Sequence, residues 1–138
     1  MGIETKGFDE LIRKLEDMGT KGVLVAKKGV LSGANIVLEQ QKKDAPKDDG
    51  DSAEALSIGQ VAKYKTGVYA KIGITKDNWE RTKPLYFQHF GYNNKGWNMS
   101  KKPKLVVRHV GWMNRSFEKV EERAKQAIID EVKNAIKW

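Results

Sequence analysis

His89 and His109 are the side chains best suited to bind a metal or to move a proton near neutral pH. No HxxxH or HExxH spacing joins them, so metal chemistry has little support. They read instead as a half-buried histidine on a short helix and a second one beside a loop. Asp44, Asp48, Asp49 and Asp51 crowd together, but the alternate-ligand spacing and terminal bidentate Glu of a calcium loop are missing, which leaves a solvated turn. There is no GxxxxGK loop, no GxGxxG after a strand and no GxSxG elbow. The chain has no cysteine, which removes thiolate metal sites, cysteine nucleophiles and disulfides and leaves the redox compartment open. A carboxylate pair brought together from separate elements is the one catalytic arrangement left open. The sequence therefore points away from an enzyme and calls for no cofactor.

Binding chemistry is better represented. Lys95, Lys101, Lys102, Lys104 and Arg108 surround Tyr92 and Trp97, and cations interleaved with aromatics can contact phosphates and stack on bases. Exposed aromatics in a loop equally serve as anchors for another protein. A plain lysine-rich loop, with its Trp packed on the domain or on a neighbour, is the bland alternative. No RRM, helix-turn-helix or OB signature accompanies the cluster.

The charge distribution points to the same region. The chain of 138 residues carries a net +8. Residues 1–50 hold nine basic and nine acidic side chains and residues 118–138 five of each, so the whole excess lies in 51–117, with twelve basic against four acidic. A basic middle between neutral ends suits an anionic partner, nucleic acid or an acidic protein face.

The elements that must carry these residues follow from periodicity. Phe8, Leu11, Ile12, Leu15 and Met18 form one helical stripe, stopped by Gly19. Thr20 is placed to cap a second, long helix, in which Val23, Ala26, Val30, Ala34, Val37 and Leu38 keep the period until Asp44-Ala45-Pro46 ends it. Gly29 and Gly33, four apart in that helix, are suited to the close approach of another element. Residues 46–54 read as a polar loop. Leu56, Ile58 and Val61 then suggest a strand, Lys65-Thr66-Gly67 a turn, and Val68, Ala70, Ile72 and Ile74 a second strand, antiparallel to the first. Pro84 is suited to open a short helix through Leu85, Tyr86, Phe87 and His89, closed by Gly91. Residues 91–104 read as a long exposed loop, and Leu105-Val106-Val107 as a short strand. From Met113 to Ile136 the stripe Phe117, Val120, Ala124, Ile128, Val132 marks a C-terminal helix.

The expected fold class is α+β, in the order helix, long helix, β-hairpin, short helix, loop, C-terminal helix, with the helices packed on one face of a small antiparallel sheet. Length and the lack of a linker give one domain over residues 1–138. Met1–Lys6 lacks the basic start and apolar core of a signal peptide, and no stretch approaches the roughly 20 apolar residues that span a bilayer. No membrane partner is expected, and the chain should stay where it is translated.

Several short motifs occur in a familiar order: Lys6-Gly7-Phe8-Asp9-Glu10-Leu11-Ile12-Arg13-Lys14-Leu15 at the start, then Asp44-Ala45-Pro46, Asp48-Asp49-Gly50, Leu56-Ser57-Ile58, Phe87-Gln88-His89-Phe90-Gly91 and Gly111-Trp112-Met113-Asn114-Arg115-Ser116-Phe117. In that order and spacing, over nearly the whole length, the chain resembles the head-tail joining, or tail-completion, proteins of long-tailed bacteriophages, a family typified by the tenth gene product of a lambdoid phage. The resemblance implies a non-enzymatic virion protein at the head-tail junction, made in the host cytoplasm and assembled as a homo-oligomeric ring of about six copies. Implied partners are the connector or adaptor proteins below the portal and the tail tube or tail terminator, with passive contact to DNA in the channel. Tyr92, Lys95, Trp97, Lys101, Lys102, Lys104 and Arg108 would then face a partner or the DNA. A small, sequence-independent nucleic-acid-binding protein is the alternative reading.

Overall fold

A computed structural model describes residues 8–46, 51–64, 67–94, 104–106 and 109–136. Its elements run α1 (Phe8–Asp17), α2 (Thr20–Asp44), α3 (Asp51–Glu54), β1 (Ser57–Tyr64), β2 (Gly67–Gly73), α4 (Trp79–Phe90), β3 (Tyr92–Asn94), β4 (Lys104–Val106) and α5 (Trp112–Ala135). The fold is a small, mostly helical α+β arrangement, as the periodicity predicts. Its two sheets each have two strands, β1 with β2 and β3 with β4.

The α2–α5 pair is the spine. At 25 residues α2 is about 37 Å long, and its glycines let α5 come near backbone contact. A Cβ on Gly29 would stand 2.9 Å from Val132 Cγ2, and one on Gly33 would stand 2.7 Å from Ile128 Cγ1 and 2.9 Å from the Ala124 carbonyl oxygen. The role expected of Gly29 and Gly33 is therefore the one they have. Gly22 repeats the device on α1, where an added Cβ would run into the Leu15 carbonyl oxygen.

The core is strung along this spine in three clusters. Leu11 of α1 packs with Ile129 and Val132 at one end. Val37, Val120 and Ala124 fill the middle, with Ile72 of β2 and Phe117 against them. Ala45, Ala53, Leu56, Leu85 and Trp112 close the other end. Gly19 takes φ +61° between α1 and α2. It is also the N-cap position of α2, so Thr20 is the first helical residue and contributes no side-chain cap. At the far end Asp44 accepts from Gln40 Nε2 at 3.0 Å and pairs with Lys119 Nζ at 3.2 Å, tying α2 to α5. Burial alone would raise the Asp44 carboxyl, but these donors and the ammonium charge outweigh it and leave the carboxyl below its ordinary value.

The β1–β2 hairpin lies on α2. Tyr69 and Lys71 are exposed while Val68, Ala70 and Ile72 are half-buried, the alternation expected of a strand with one covered face. The register shifts between Ile58 and Val61, where Gly59 and Gln60 stand opposite Lys71 alone, a bulge that strengthens the local twist.

Further sequence expectations need correction. Residues 51–54 are helical within the supposed polar loop, because Ala53, Ala55 and Leu56 are buried and draw the segment onto the core. Leu56 consequently precedes β1 and belongs to the core. The short helix starts at Trp79, and Pro84 sits inside it. Part of the long loop is ordered as a ladder, with Tyr92 opposite Val106, Asn93 opposite Leu105 and Asn94 opposite Lys104. Among the described residues no helix is long and apolar enough to cross a membrane.

The glycine contacts predict an order of stabilities. Gly33→Ala gains about 1 kcal/mol of helix propensity but overpacks against a backbone oxygen, at a cost of about 1–3 kcal/mol, so a net loss of about 1 kcal/mol is expected. Gly29→Ala meets a side-chain methyl first, its nearest backbone atom being 3.4 Å away, and should be close to neutral. Urea denaturation ranks the two, and a Gly33→Ala variant as stable as Gly29→Ala would contradict the backbone-contact account.

Candidate interaction surface

Of the seven residues that the sequence singles out, Tyr92 and Lys104 lie on the β3–β4 ladder, at opposite ends of it. Lys95, Trp97, Lys101, Lys102 and Arg108 lie outside the described residues. The ladder is inserted between α4 and α5, and its base is closed by the Gly111 N–H, which donates to the His89 carbonyl at 2.9 Å.

What α4 presents depends on how its ends are held. At the N-terminal end Asn78 gathers three segments of chain. Its Nδ2 donates to the carbonyls of Ala55 and Gly73, both at 2.8 Å, and to Ser57 Oγ at 3.0 Å. Its Oδ1 accepts from Thr75 N–H at 2.7 Å and from the Thr82 hydroxyl at 3.1 Å. The Asn78 carbonyl accepts from the N–H groups of Arg81 and Thr82, which starts the helix at Trp79, five residues before Pro84. Pro84 itself is exposed and leaves the Glu80 carbonyl without its helical N–H partner.

The C-terminal end is locked to α5. Trp112 is 3% exposed and its indole N–H donates to the Leu85 carbonyl at 3.1 Å. The Met113 N–H donates to His89 Nδ1 at 3.3 Å. That bond requires Nδ1 to be unprotonated and assigns the ring proton to Nε2. Burial and then the nearby Arg115 charge hold His89 below its ordinary value of 6.5.

Between these anchors one face of α4 is left bare. Tyr86, Phe87 and Phe90 are 39%, 46% and 63% exposed. With the half-buried Trp79 they form a continuous aromatic surface: Trp79 to Tyr86 is 5.2 Å between ring centroids, Tyr86 to Phe87 5.8 Å and Tyr86 to Phe90 4.7 Å. Edge and tilted contacts of this kind are favourable ring geometries, and they hold the rings in place without covering them. A contiguous apolar patch of this composition is the mark of an interaction surface.

The patch borders an open groove of about 750 Å³ between α4 and β2. Val37, Ile72 and Phe117 contribute apolar lining, and Lys71 and Lys76 are cations on its wall; among the described residues no carboxylate lines it. Gln41, only 4% exposed, also lines the groove, and its amide oxygen has no hydrogen-bond donor among the described residues. An unpaired buried acceptor of this kind costs about 1–3 kcal/mol. Among the described residues no group of three His, Cys, Asp or Glu side chains could hold a metal ion.

Sequence reasoning placed the binding surface in the segment from Tyr92 to Arg108 and did not single out the α4 face. The signal was present in the spacing of Trp79, Tyr86, Phe87 and Phe90, which falls on one helical stripe once the helix begins at 79. The chain matches no family model, no curated protein and no solved structure.

Two predictions test how α4 is held. Asn78→Asp preserves shape and the Oδ1 acceptor but sets an oxygen against the Ala55 and Gly73 carbonyls. A loss of about 2–4 kcal/mol in chemical denaturation is expected, and a loss under about 1 kcal/mol would place the anchor of α4 elsewhere. For His89, the folded value is lowered, so the unfolded chain binds the extra proton first. Its contribution is complete above pH 6.5 and declines as pH falls from there through the lowered folded value. Thermal melts from pH 7.5 downward should show a loss that His89→Asn, with an acceptor that does not titrate, flattens; equal slopes in both proteins would refute the role of Nδ1.

Proposed function

We propose that the chain is a structural protein of a long-tailed phage virion, assembling as a ring where the head meets the tail and joining connector proteins to the tail tube or terminator. The observation that carries the assembly reading is the bare aromatic face of α4. Three large rings stay exposed although the helix is fixed at both ends, a surface that a solitary chain does not need and a subunit interface uses. The virion placement rests on the order of sequence motifs from Lys6 to Phe117, and the element order of α1, α2, hairpin, α4 and α5 is compatible with it. In such a ring the β3–β4 hairpin, with Tyr92 and Lys104 on its ladder and Lys95, Trp97, Lys101, Lys102 and Arg108 near it in sequence, would face a partner or the DNA channel.

The test is assembly itself. Purified protein at rising concentration should form closed rings in electron micrographs. Phe87→Ser with Phe90→Ser should melt within a few degrees of the parent, since both side chains are exposed, and fail to form rings or to join heads to tails. A chain that stays monomeric, and whose DNA affinity falls steeply with salt in gel shifts until Lys101, Lys102, Lys104 and Arg108 are changed to Ala, would overturn this reading in favour of a sequence-independent nucleic-acid binder.

A further inference from the structure

The groove beside α4 runs along the edge of a strand. Among the described residues β1 is the only strand paired with β2, and the groove is lined by Ala70, Lys71 and Ile72 in succession. Successive strand residues point to opposite faces, and here Lys71 is exposed while Ile72 packs against the cluster that holds Val37 of α2 and Ala70, two residues before it, is half-buried. A cavity that touches all three therefore meets β2 at its edge. Across the groove stand Trp79, Tyr86 and Phe90 of α4. Its wall carries Lys71 and Lys76 and, among the described residues, no carboxylate.

We propose that this groove docks an extended acidic segment of a partner protein, added as a strand along the free edge of β2. Main-chain hydrogen bonds to β2 would supply registration. An apolar side chain of the segment would seat among Trp79, Tyr86 and Phe90, and its carboxylates would meet Lys71 and Lys76. The absence of acid from the lining selects an acidic strand over a neutral or basic one by charge complementarity. The groove shares Tyr86 and Phe90 with the face proposed as the subunit interface, but the β2 edge and the two lysines play no part in that reading, so a failure to form rings leaves the docking proposal intact.

The test uses the full chain, labelled for amide NMR, and a short blocked peptide of alternating Glu and Val with one central Phe. Binding should shift the amides of residues 70–72 and the side-chain signals of Trp79 and Phe90. Replacing Glu by Lys in the peptide should weaken it roughly tenfold, and methylating alternate peptide nitrogens should do the same by removing strand hydrogen bonds. The Lys71→Glu, Lys76→Glu double variant, altered only at exposed positions, should reverse the preference for acid. Equal binding of the acidic and lysine peptides, indifference to N-methylation, or shifts located away from the groove would each overturn the proposal. Shifts of the same amides on concentrating the protein without peptide would assign the groove to a second copy of this chain and overturn it as well.

Discussion

The close contact between α2 and α5 is the constraint from which the rest of the structure follows. Three glycines make α2 a weak helix on its own terms, and a helix of that composition is held by packing more than by propensity. Two of them, Gly29 and Gly33, bring the two axes near enough for the Ala124 carbonyl and the Ile128 and Val132 side chains to fill the space beside them. All three core clusters draw on residues of this helix pair. The hairpin, α1 and α4 are attachments whose buried residues reach back to it.

The parts of the fold legible in the sequence are those with local, periodic causes. The long helices, the β1–β2 hairpin and the close-approach role of Gly29 and Gly33 all follow from spacing within a single segment. What stayed hidden was set by contacts distant in sequence. Residues 51–54 look like a turn, and only the burial of Ala53 and Leu56 against Leu85 and Trp112 turns them into a helix. Strand β3 is too short to show a period, whereas the strand read at Leu105-Val106-Val107 is met by β4 at Leu105 and Val106, Val107 lying outside the described residues.

The site was less legible than the fold, and one misplacement explains much of that. With Pro84 taken as the first residue of its helix, Trp79 falls outside and the aromatic stripe loses its first member. The true start is fixed by Asn78, whose partners at Ala55, Ser57 and Gly73 lie 23, 21 and 5 residues away and leave no local trace. Charge counting did locate the basic middle of the chain, where Lys71 and Lys76 belong, but not the groove that gives those two lysines an address. The chemistry of the surface is thus divided: its cations are visible from composition, and its shape comes from an asparagine and a tryptophan acting on opposite ends of one helix.

The β3–β4 insertion has a consequence for how the molecule can vary. Its two strands leave and re-enter the body at the junction of α4 with α5, where Gly111 meets His89 and Trp112 meets Leu85. Those contacts close the junction whatever the length of chain between Asn94 and Lys104. Doubling the length of a flexible connection adds only about 0.6 kcal/mol of closure entropy. The hold of α4 on α5 is thus set at the junction itself, by Gly111 on His89 and Trp112 on Leu85, so the mount of the ladder and the ladder it carries are separate parts of the design.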